Sequence, residues 1–448
     1  MPAPHDESLD LLTDLIGRAR KAGADAADAV LFDAVSLSLS QRLGKPEKLE
    51  RAEAGDLGLR VFIGRRMAMV SSSDRKQDAL NELVERAIAM ARSVPEDPFC
   101  GLADPDRIAR AWPDLDLDDP HEPAPDALID GARIAEEAAL AVDGVTNSEG
   151  AEANWGRTRV ALAASNGFAG GYSMSSRSLS VSVIAGEGTA METDYDWTSA
   201  VYAEDMEDAA TIGRRAGERA VRRLGARKMA TARVPVVYDP RIANSLLRHF
   251  VGAISGPAIA RGTSFLKDRM GEPVFGDGIR VVDDPHIRRG RRSKPFDGEG
   301  MANRRREVID DGRLTTWLLD LRSARQLGLE TTGHAARGTA SPPGPSPTNL
   351  YLEPGRRSPD ELIADIEQGF YVTQMMGSAV NGLTGDYSRG ATGFWIENGR
   401  IAYPVSEVTV AGNLKDMFRR LEPASDLEFR TGIDSPTVRI DGMTVAGK

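Results

Sequence analysis

The side chains able to hold a metal or attack a carbonyl are few and widely spaced. Five histidines, His5, His121, His249, His286 and His334, are scattered along the chain, and no two stand four residues apart. A zinc site needs about three neutral imidazole, thiolate or carboxylate ligands in tetrahedral array. Neither His-x-x-x-His nor His-Glu-x-x-His occurs, and His249 is followed by Phe250 instead of a carboxylate. A lone imidazole on a largely apolar helix is more readily a hydrogen-bonded core group than a ligand. The single cysteine, Cys100, excludes an internal disulfide framework and any all-thiolate metal site within one chain; it reads as a structural or incidental thiol. Nucleophilic chemistry finds no better support, because the Gly-x-Ser-x-Gly elbow is missing. Ser388 lies in GDYSRGATG, a run that can expose a hydroxyl but offers no base, and it reads as a turn. No phosphate-cradling loop follows a strand.

The stretch that must position His249 is VPVVYDPRIANSLLRHFVGAIS, Val234 to Ser255. Val234, Val236 and Val237 predict a short buried strand. Asp239 offers an N-cap oxygen and Pro240 suits the first helical position. Ile242, Leu246, Phe250, Val251 and Ile254 recur at helical spacing, so one face of the helix is apolar.

Around this stretch the pattern predicts helices over 8–22, 76–92, 126–142 and 205–224. It predicts strands at Val35–Leu39, Leu59–Ile63, Met67–Val70, Arg159–Ala164 and Leu179–Ile184, with an edge strand over Glu192–Val201. Arg214, Arg215, Arg219, Arg222 and Arg223 give the 205–224 helix a charged face that reads as solvated. Residues 94–125 carry seven prolines and an acidic run, LDLDDPHEP. This segment suits a surface connection or linker, and its spacing is not that of a calcium loop. Further on, Asn349–Leu352 reads as a strand, and Ser358 with Glu361 as a capping box opening a helix to about Gln368. Asn398-Gly399 is a type I′ hairpin signature. Val405–Val410 reads as strand, Asn413 as a helix cap, and Asp441-Gly442 as the turn of a last hairpin. The result is an α+β fold: an N-terminal α+β domain over 1–226, with sub-units at about 8–93 and 126–226 joined by the Pro/Asp-rich segment, and a β-rich C-terminal domain over 227–448.

The chain has 448 residues, 41% of them hydrophobic and 27% charged, with a net charge of −11. That balance fits a globular protein and weighs against general nucleic-acid binding. One basic run, HIRRGRRSKPFDGEGMANRRR over 286–306, stands out, but it lacks the interleaved aromatics of a nucleic-acid surface; a surface loop or protein interface is the reading. No apolar run is long enough to span a bilayer, and the acidic N-terminus is unlike a signal peptide. The cytoplasm is the expected compartment. What remains is a β-rich half with long Gly-rich loops and strands able to pair with an extended peptide.

Several stretches carry a resemblance. GLRVFIGRRMAMVSSSD (58–74), RVALAASNGFAGGYSMSSRSLSVSVIA (159–185), PFDGEGMANRRREVIDDGRLTTWLLDLRSARQLGLETTGHAARG (295–338), SPTNLYLEPG (346–355) and GFWIENGRIAYPVSEVTVAGNL (393–414) resemble the TldD/PmbA family of peptidase proteins. This family is also known as modulators of DNA gyrase, and the likeness is greatest to its PmbA, or TldE, branch. In the family a TldD-type subunit carries a His-Glu-x-x-x-His zinc helix and a late cysteine ligand. The resemblance lays that helix on the stretch around His249. One register puts Arg248, His249 and Ala253 on the motif positions, and the other His249, Phe250 and Ile254; no cysteine follows Cys100.

The resemblance therefore implies a subunit with no catalytic residue, no metal and no cofactor of its own. Zinc is expected in a TldD-type partner, with which the chain would form a heterodimer that degrades or trims unfolded peptides; self-pairing as a homodimer is the other option. An extended peptide is the expected substrate, met by Asn349, Tyr351, Ser388 and Glu407. Neither membrane nor nucleic acid is an expected partner. Two rival readings stand beside this one. The first is a non-enzymatic modulator of DNA gyrase. The second is a homodimeric peptidase with an unrecognised site around Ser388 or His249.

Overall fold

The computed structural model describes residues 7–447, the side chain of Ser378 excepted; His5 lies outside the described residues. Leu12, Leu15, Ile16 and Ala19 make the buried face of α1 (Glu7–Lys21). There follow β1 (Ala26–Arg42), β2 (Lys45–Ile63), β3 (Arg66–Ser72), α2 (Gln77–Ser93), α3 (Pro125–Leu140), β4 (Val145–Ala164), β5 (Ala169–Ala185), β6 (Glu192–Ala200) and α4 (Ala209–Arg222). The six strands form one antiparallel sheet in the order β3-β2-β1-β4-β5-β6.

Side chains alternate across a strand, and the faces separate cleanly. Ala27, Ala29, Leu31, Ala161 and Ala163 pack with α1 and α2. On the same face, Leu37, Leu39, Ala153 and Trp155 pack with α3 and α4. The opposite face presents Val30, Val160 and Leu162 to Phe168, Phe296, Met301 and Leu321. Two helix pairs thus cover one side of the sheet, and the second half of the chain docks on the other. Helices α3 and α4 approach closely because α4 has a glycine at the contact: a Cβ on Gly213 would lie 2.0 Å from the Ala135 carbonyl oxygen.

The strands run well beyond the segments that sequence pattern picks out. In β2 the first ten residues are all exposed. They read KPEKLERAEA, rich in Lys, Arg and Glu, and such charges discourage a free sheet edge from pairing with another chain.

The arginine face of α4 is not simply solvated. Arg214 and Arg222 are exposed, but Arg215 and Arg219 reach Asp196 at 2.6 and 2.8 Å, and Arg223 reaches Glu192 at 2.9 Å. The acidic partners lie on β6, so the helix is fastened to its own sheet. The Pro-rich segment 94–125 is a strap rather than a loose linker, with Ile108, Ala109, Leu115 and Leu117 buried. Its carboxylates meet arginines in place of a calcium ion: Asp118 pairs with Arg157, Asp119 with Arg177, and Asp116 with Arg288 and Arg289.

The second half contains β7 (Ala232–Tyr238), α5 (Pro240–Ala253), α6 (Gly256–Ala260), β8 (Val281–Asp284), β9 (Arg306–Asp310), β10 (Arg313–Leu314), α7 (Leu321–Leu327), β11 (Ala335–Ala336), β12 (Gly344–Pro345), β13 (Asn349–Leu352), α8 (Pro359–Ile363), β14 (Gln368–Val380), β15 (Asp386–Glu397), β16 (Arg400–Asn413), α9 (Leu414–Arg420), β17 (Leu421–Pro423), β18 (Ile433–Asp434) and β19 (Val438–Ala446). One sheet has the order β16-β15-β14-β7-β19-β17, and β16 pairs back onto β19, which closes a barrel. A second sheet, β10-β9-β8-β13-β18, lies beside it. One core joins both sheets to α5, α7 and α9. The chain is α+β, with strand dominating this half.

Three local expectations change here. The capping box of Ser358 and Glu361 forms, but α8 lasts little more than a turn, and the chain then enters β14. The GDYSRGATG run is strand β15, not a turn. Asp441-Gly442 is a bulge within the single strand β19, where the register against β7 shifts between Ile440 and Met443. By contrast, Asn398 and Gly399 take φ of 50° and 73° at the β15–β16 turn, as a type I′ turn requires. Among the described residues no helix is long and apolar enough to cross a membrane.

Candidate functional site

Helix α5 leaves β7 through a sharp turn. Asp239 accepts a hydrogen bond from the Arg241 amide at 3.0 Å, and Pro240 opens the helix. Ala243, Leu246, Leu247, Phe250 and Ala253 form the buried face. Phe250 meets the rings of Phe275 and Phe418 edge-on at 5.2 and 5.9 Å. Arg241 fixes the helix to the N-terminal sheet by donating to Asp194 at 2.8 Å. The sequence therefore makes α5 rigid, with His249 on its last turn.

His249 is half-buried. Its ring packs edge-on against Tyr387, with centroids 5.8 Å apart. Its Nε2 is buried without a hydrogen-bond partner among the described residues. Burial, reinforced by the Arg389 charge, pushes its pKa below the ordinary imidazole value. Arg389 donates from Nε to the Gly377 carbonyl at 2.8 Å. Arg248 is exposed, yet its charge adds to burial in lowering the pKa of Arg292. Arg292 spends its own donors on the Pro347 and Thr348 carbonyls and on Ser346 Oγ, at 2.9 to 3.2 Å. Ala253 is buried in the core.

These groups do not fit a zinc ion. One imidazole is available, and the nearest charges are guanidinium groups, which repel a dication. Among the described residues no group of three or more His, Cys, Asp and Glu converges to hold a metal. What the arrangement does offer is a positive surrounding for the end of α5, close to a strand with a free edge. Strand β14 pairs with β7 only over Phe370–Val372. From Thr373 onward it pairs with β15 alone among the described residues. Such an edge presents backbone donors and acceptors to an extended peptide. Met376 and Leu383, at the end of this hairpin, are 60% and 61% exposed.

The four residues expected to meet substrate lie in different settings. Asn349 is buried; it accepts from the Arg292 amide at 2.9 Å and donates to the Asp284 carbonyl and Ser293 Oγ, both at 2.7 Å. Tyr351, two residues on along β13, is half-buried and edge-on to Phe429 at 5.1 Å. Ser388 sits in β15 between Ala379 and Ala411; by strand alternation its side chain faces away from those of Tyr387 and Arg389. Glu407 is exposed, at φ 55°, and pairs with Lys228 at 2.6 Å. Asn349 and Tyr351 therefore belong to one sheet, and Ser388 and Glu407 to the other.

The basic run 286–306 is largely used inside the molecule. Arg289 bridges Asp116, Glu204 and Asp205 at 2.6 to 3.1 Å. Arg291 donates to the Arg177 carbonyl, Arg305 pairs with Glu307, and Arg306 donates to the Thr332 carbonyl. The Arg289 and Arg291 bonds join the two halves, and together these contacts leave few of the run's charges for nucleic-acid phosphates. His286 bonds Asn303 at 2.8 Å, and His334 lies between Thr332 and Asp283 at 2.8 and 3.2 Å.

A buried ionic network at the same junction has no local mark in the sequence. Arg60 Nε donates to both Asp28 carboxylate oxygens at 3.1 Å, and Arg337 reaches Asp28 at 2.8 Å. Glu299 stands 3.5 Å from Arg60. Burial raises the Asp297 and Glu299 carboxyls to about 6 and about 7.

Comparison with known proteins gives one answer throughout. Three domain models described as PmbA/TldA metallopeptidase match the chain: domain 1 over residues 27–91, the central domain over 118–224 and the C-terminal domain over 231–447. The chain is 38% identical to Metalloprotease PmbA of Escherichia coli O157:H7 over 427 residues, 95% of this chain and 93% of that protein. It is 36% identical to a Metalloprotease PmbA homolog of Haemophilus influenzae, covering 100% of this chain and 98% of the relative. The same Haemophilus strain has a Metalloprotease TldD homolog, 28% identical over 270 residues, 56% of each chain. A crystal structure from Bacteroides thetaiotaomicron, described as that of a candidate modulator of DNA gyrase, superposes with a TM-score of 0.92 at 30% identity, covering 100% of both chains.

Proposed function

The chain belongs to the PmbA/TldA metallopeptidase family, and from that premise we propose that it is the metal-free subunit of a two-chain peptidase. The observation that carries this reading is the end of α5. There the family's zinc helix is expected, and this chain offers Arg248, a single imidazole at His249, and Ala253, with Arg389 and Arg292 close by. In this reading a TldD-type paralogue holds the zinc and cleaves the peptide bond. This chain binds the extended substrate along the free edge of β14 and completes the chamber. The occurrence of both a PmbA-type and a TldD-type relative in one Haemophilus strain is in keeping with such a pairing.

The test is metal analysis and hydrolysis of an unfolded peptide by the purified chain, alone and mixed with its metal-bearing paralogue. Turnover in the mixture, with neither zinc nor turnover in the isolated chain, is the expected result. Stoichiometric zinc and turnover by the isolated chain would refute it and favour a homodimeric peptidase. A gyrase-binding role draws little from the structure, since the basic run that motivated it is mostly consumed in internal bonds. Co-precipitation with gyrase that persists at high salt would revive it.

A further inference from the structure

Where the second half docks on the N-terminal sheet there is a cavity of about 220 Å³. Val30, Phe32, Val160, Leu162 and Phe296 give it an apolar wall, and Tyr172, Lys294, Asp297 and Arg337 supply its polar side. The polar groups are unevenly satisfied. Asp297 is fully engaged: one carboxylate oxygen accepts from the Glu299 and Met301 amides, each at 2.9 Å, and the other from the Ala335 amide at 3.1 Å. The donors of Arg337 are not. Arg337 has a side chain 1% exposed and gives Nη1 to Asp28. Its Nε and Nη2 are buried without a hydrogen-bond partner among the described residues. Lys294 is half-buried on the cavity lining, and burial together with Arg292 lowers its pKa. Tyr172 is likewise half-buried on the lining, and burial alone pushes its hydroxyl up to about 12.

Unmet donors against an apolar wall are costly, and charged ones more so. A structure tolerates them where something else supplies the acceptor. We propose that this cavity binds a small apolar monocarboxylate. Its carboxylate would meet the unpartnered donors of Arg337 together with Lys294 and Tyr172, and its aliphatic or aromatic group would pack on Phe32, Val160, Leu162 and Phe296. The charge balance supports this occupant. Arg60, Arg337 and Lys294 face Asp28, Asp297 and Glu299, and burial raises both of the last two carboxyls, Glu299 to about 7, where it is only partly ionised near neutral pH. Near neutral pH these three cations therefore meet somewhat less than three full negative charges, a shortfall that a ligand carboxylate offsets. The inference does not rest on the two-subunit reading, because the cavity lies wholly within one chain.

Two sources share this chemistry: a free organic acid and the C-terminal residue of a peptide. Equilibrium dialysis of the full chain against N-acetyl-L-leucine, its C-terminal amide, and a pentapeptide ending in leucine tests the site and separates them. The acid should bind at least about tenfold more tightly than the amide. The Lys294→Met variant should bind the acid no better than the amide. Met174→Trp, which fills the cavity from β5, should abolish binding while circular dichroism shows the fold intact. A pentapeptide bound as tightly as the acid identifies a peptide terminus as the occupant; binding of the acid alone identifies a free acid. Equal binding of acid and amide, no binding of either, or unchanged affinity in a folded Lys294→Met or Met174→Trp protein overturns the proposal.

Discussion

Replacing Glu299 with glutamine should change how stability depends on pH, and the structure sets the sign. Glu299 is 7% exposed. Its Oε2 accepts the Leu321 amide at 2.8 Å, while Arg60 stands 3.5 Å from Oε1. Burial raises its pKa from 4.5 to about 7, opposed by Arg60 and assisted by the nearby Asp297. A carboxyl whose folded pKa lies above its unfolded value binds more protons in the folded state. Its contribution is therefore fully present below the unfolded value, near 4.5, and is lost as pH rises through about 7. At about 1.4 kcal/mol per pKa unit, ionisation costs the fold at most roughly 3 kcal/mol. Coupling to Asp297 shares this cost, so the observed change will be smaller. Glutamine keeps an oxygen for the Leu321 amide but removes the titration. Urea unfolding of both proteins, followed by tryptophan fluorescence from about pH 5 to about pH 8, should show the wild type losing stability relative to Glu299→Gln. Groups remote from Glu299 titrate alike in both proteins and cancel in the difference, whereas the coupled Asp297 shares in it. Parallel profiles, or a relative gain by the wild type as pH rises, would show that Glu299 is not held toward its neutral form.

Other expectations follow from the same geometry. Arg389→Ala removes one of the two causes that depress the His249 pKa, so an NMR titration should find it moved up toward the ordinary imidazole value. Phe250→Ala leaves a hole between Phe275 and Phe418 and should cost about 3–5 kcal/mol by denaturant unfolding. Gly213→Ala places a methyl against the Ala135 carbonyl and should lower stability by about 1–3 kcal/mol as α3 and α4 are forced apart. Asp239→Ala removes the α5 cap and should cost about 1 kcal/mol; thermal unfolding reads the loss.

The sequence disclosed what was decided locally. The caps at Asp239, Ser358 and Asn413 and the Asn398-Gly399 turn depend on neighbours a few residues away, and each formed where expected. Strand ends were hidden for a physical reason. The first part of β2 is exposed on both faces and so shows no alternation. Asp441-Gly442 was misread because a bulge and a hairpin make the same demand for positive φ. The arginines of α4 looked solvated because their partners, Glu192, Asp194 and Asp196, lie on another element. At the candidate site, His249 and the apolar face of its helix were legible. Arg389 was not, because only the barrel brings β15 against α5. The network of Asp28, Arg60 and Arg337 is assembled wholly by tertiary structure, from residues that look ordinary in their own segments.

That network has a consequence for biosynthesis. Asp28 is translated early, and Arg337 emerges 309 residues later. Until it arrives, the outer surface of the first sheet has only the strap and Phe168 over it, without Phe296, Met301 and Leu321, and the Asp28–Arg60 pair lacks its third member. Ribosome-bound intermediates should therefore expose Val30, Val160 and Leu162 to chaperones through most of synthesis. The two halves would fasten together only after the stretch around Gly338 has left the exit tunnel, which makes assembly of this junction a late, chain-length-gated event.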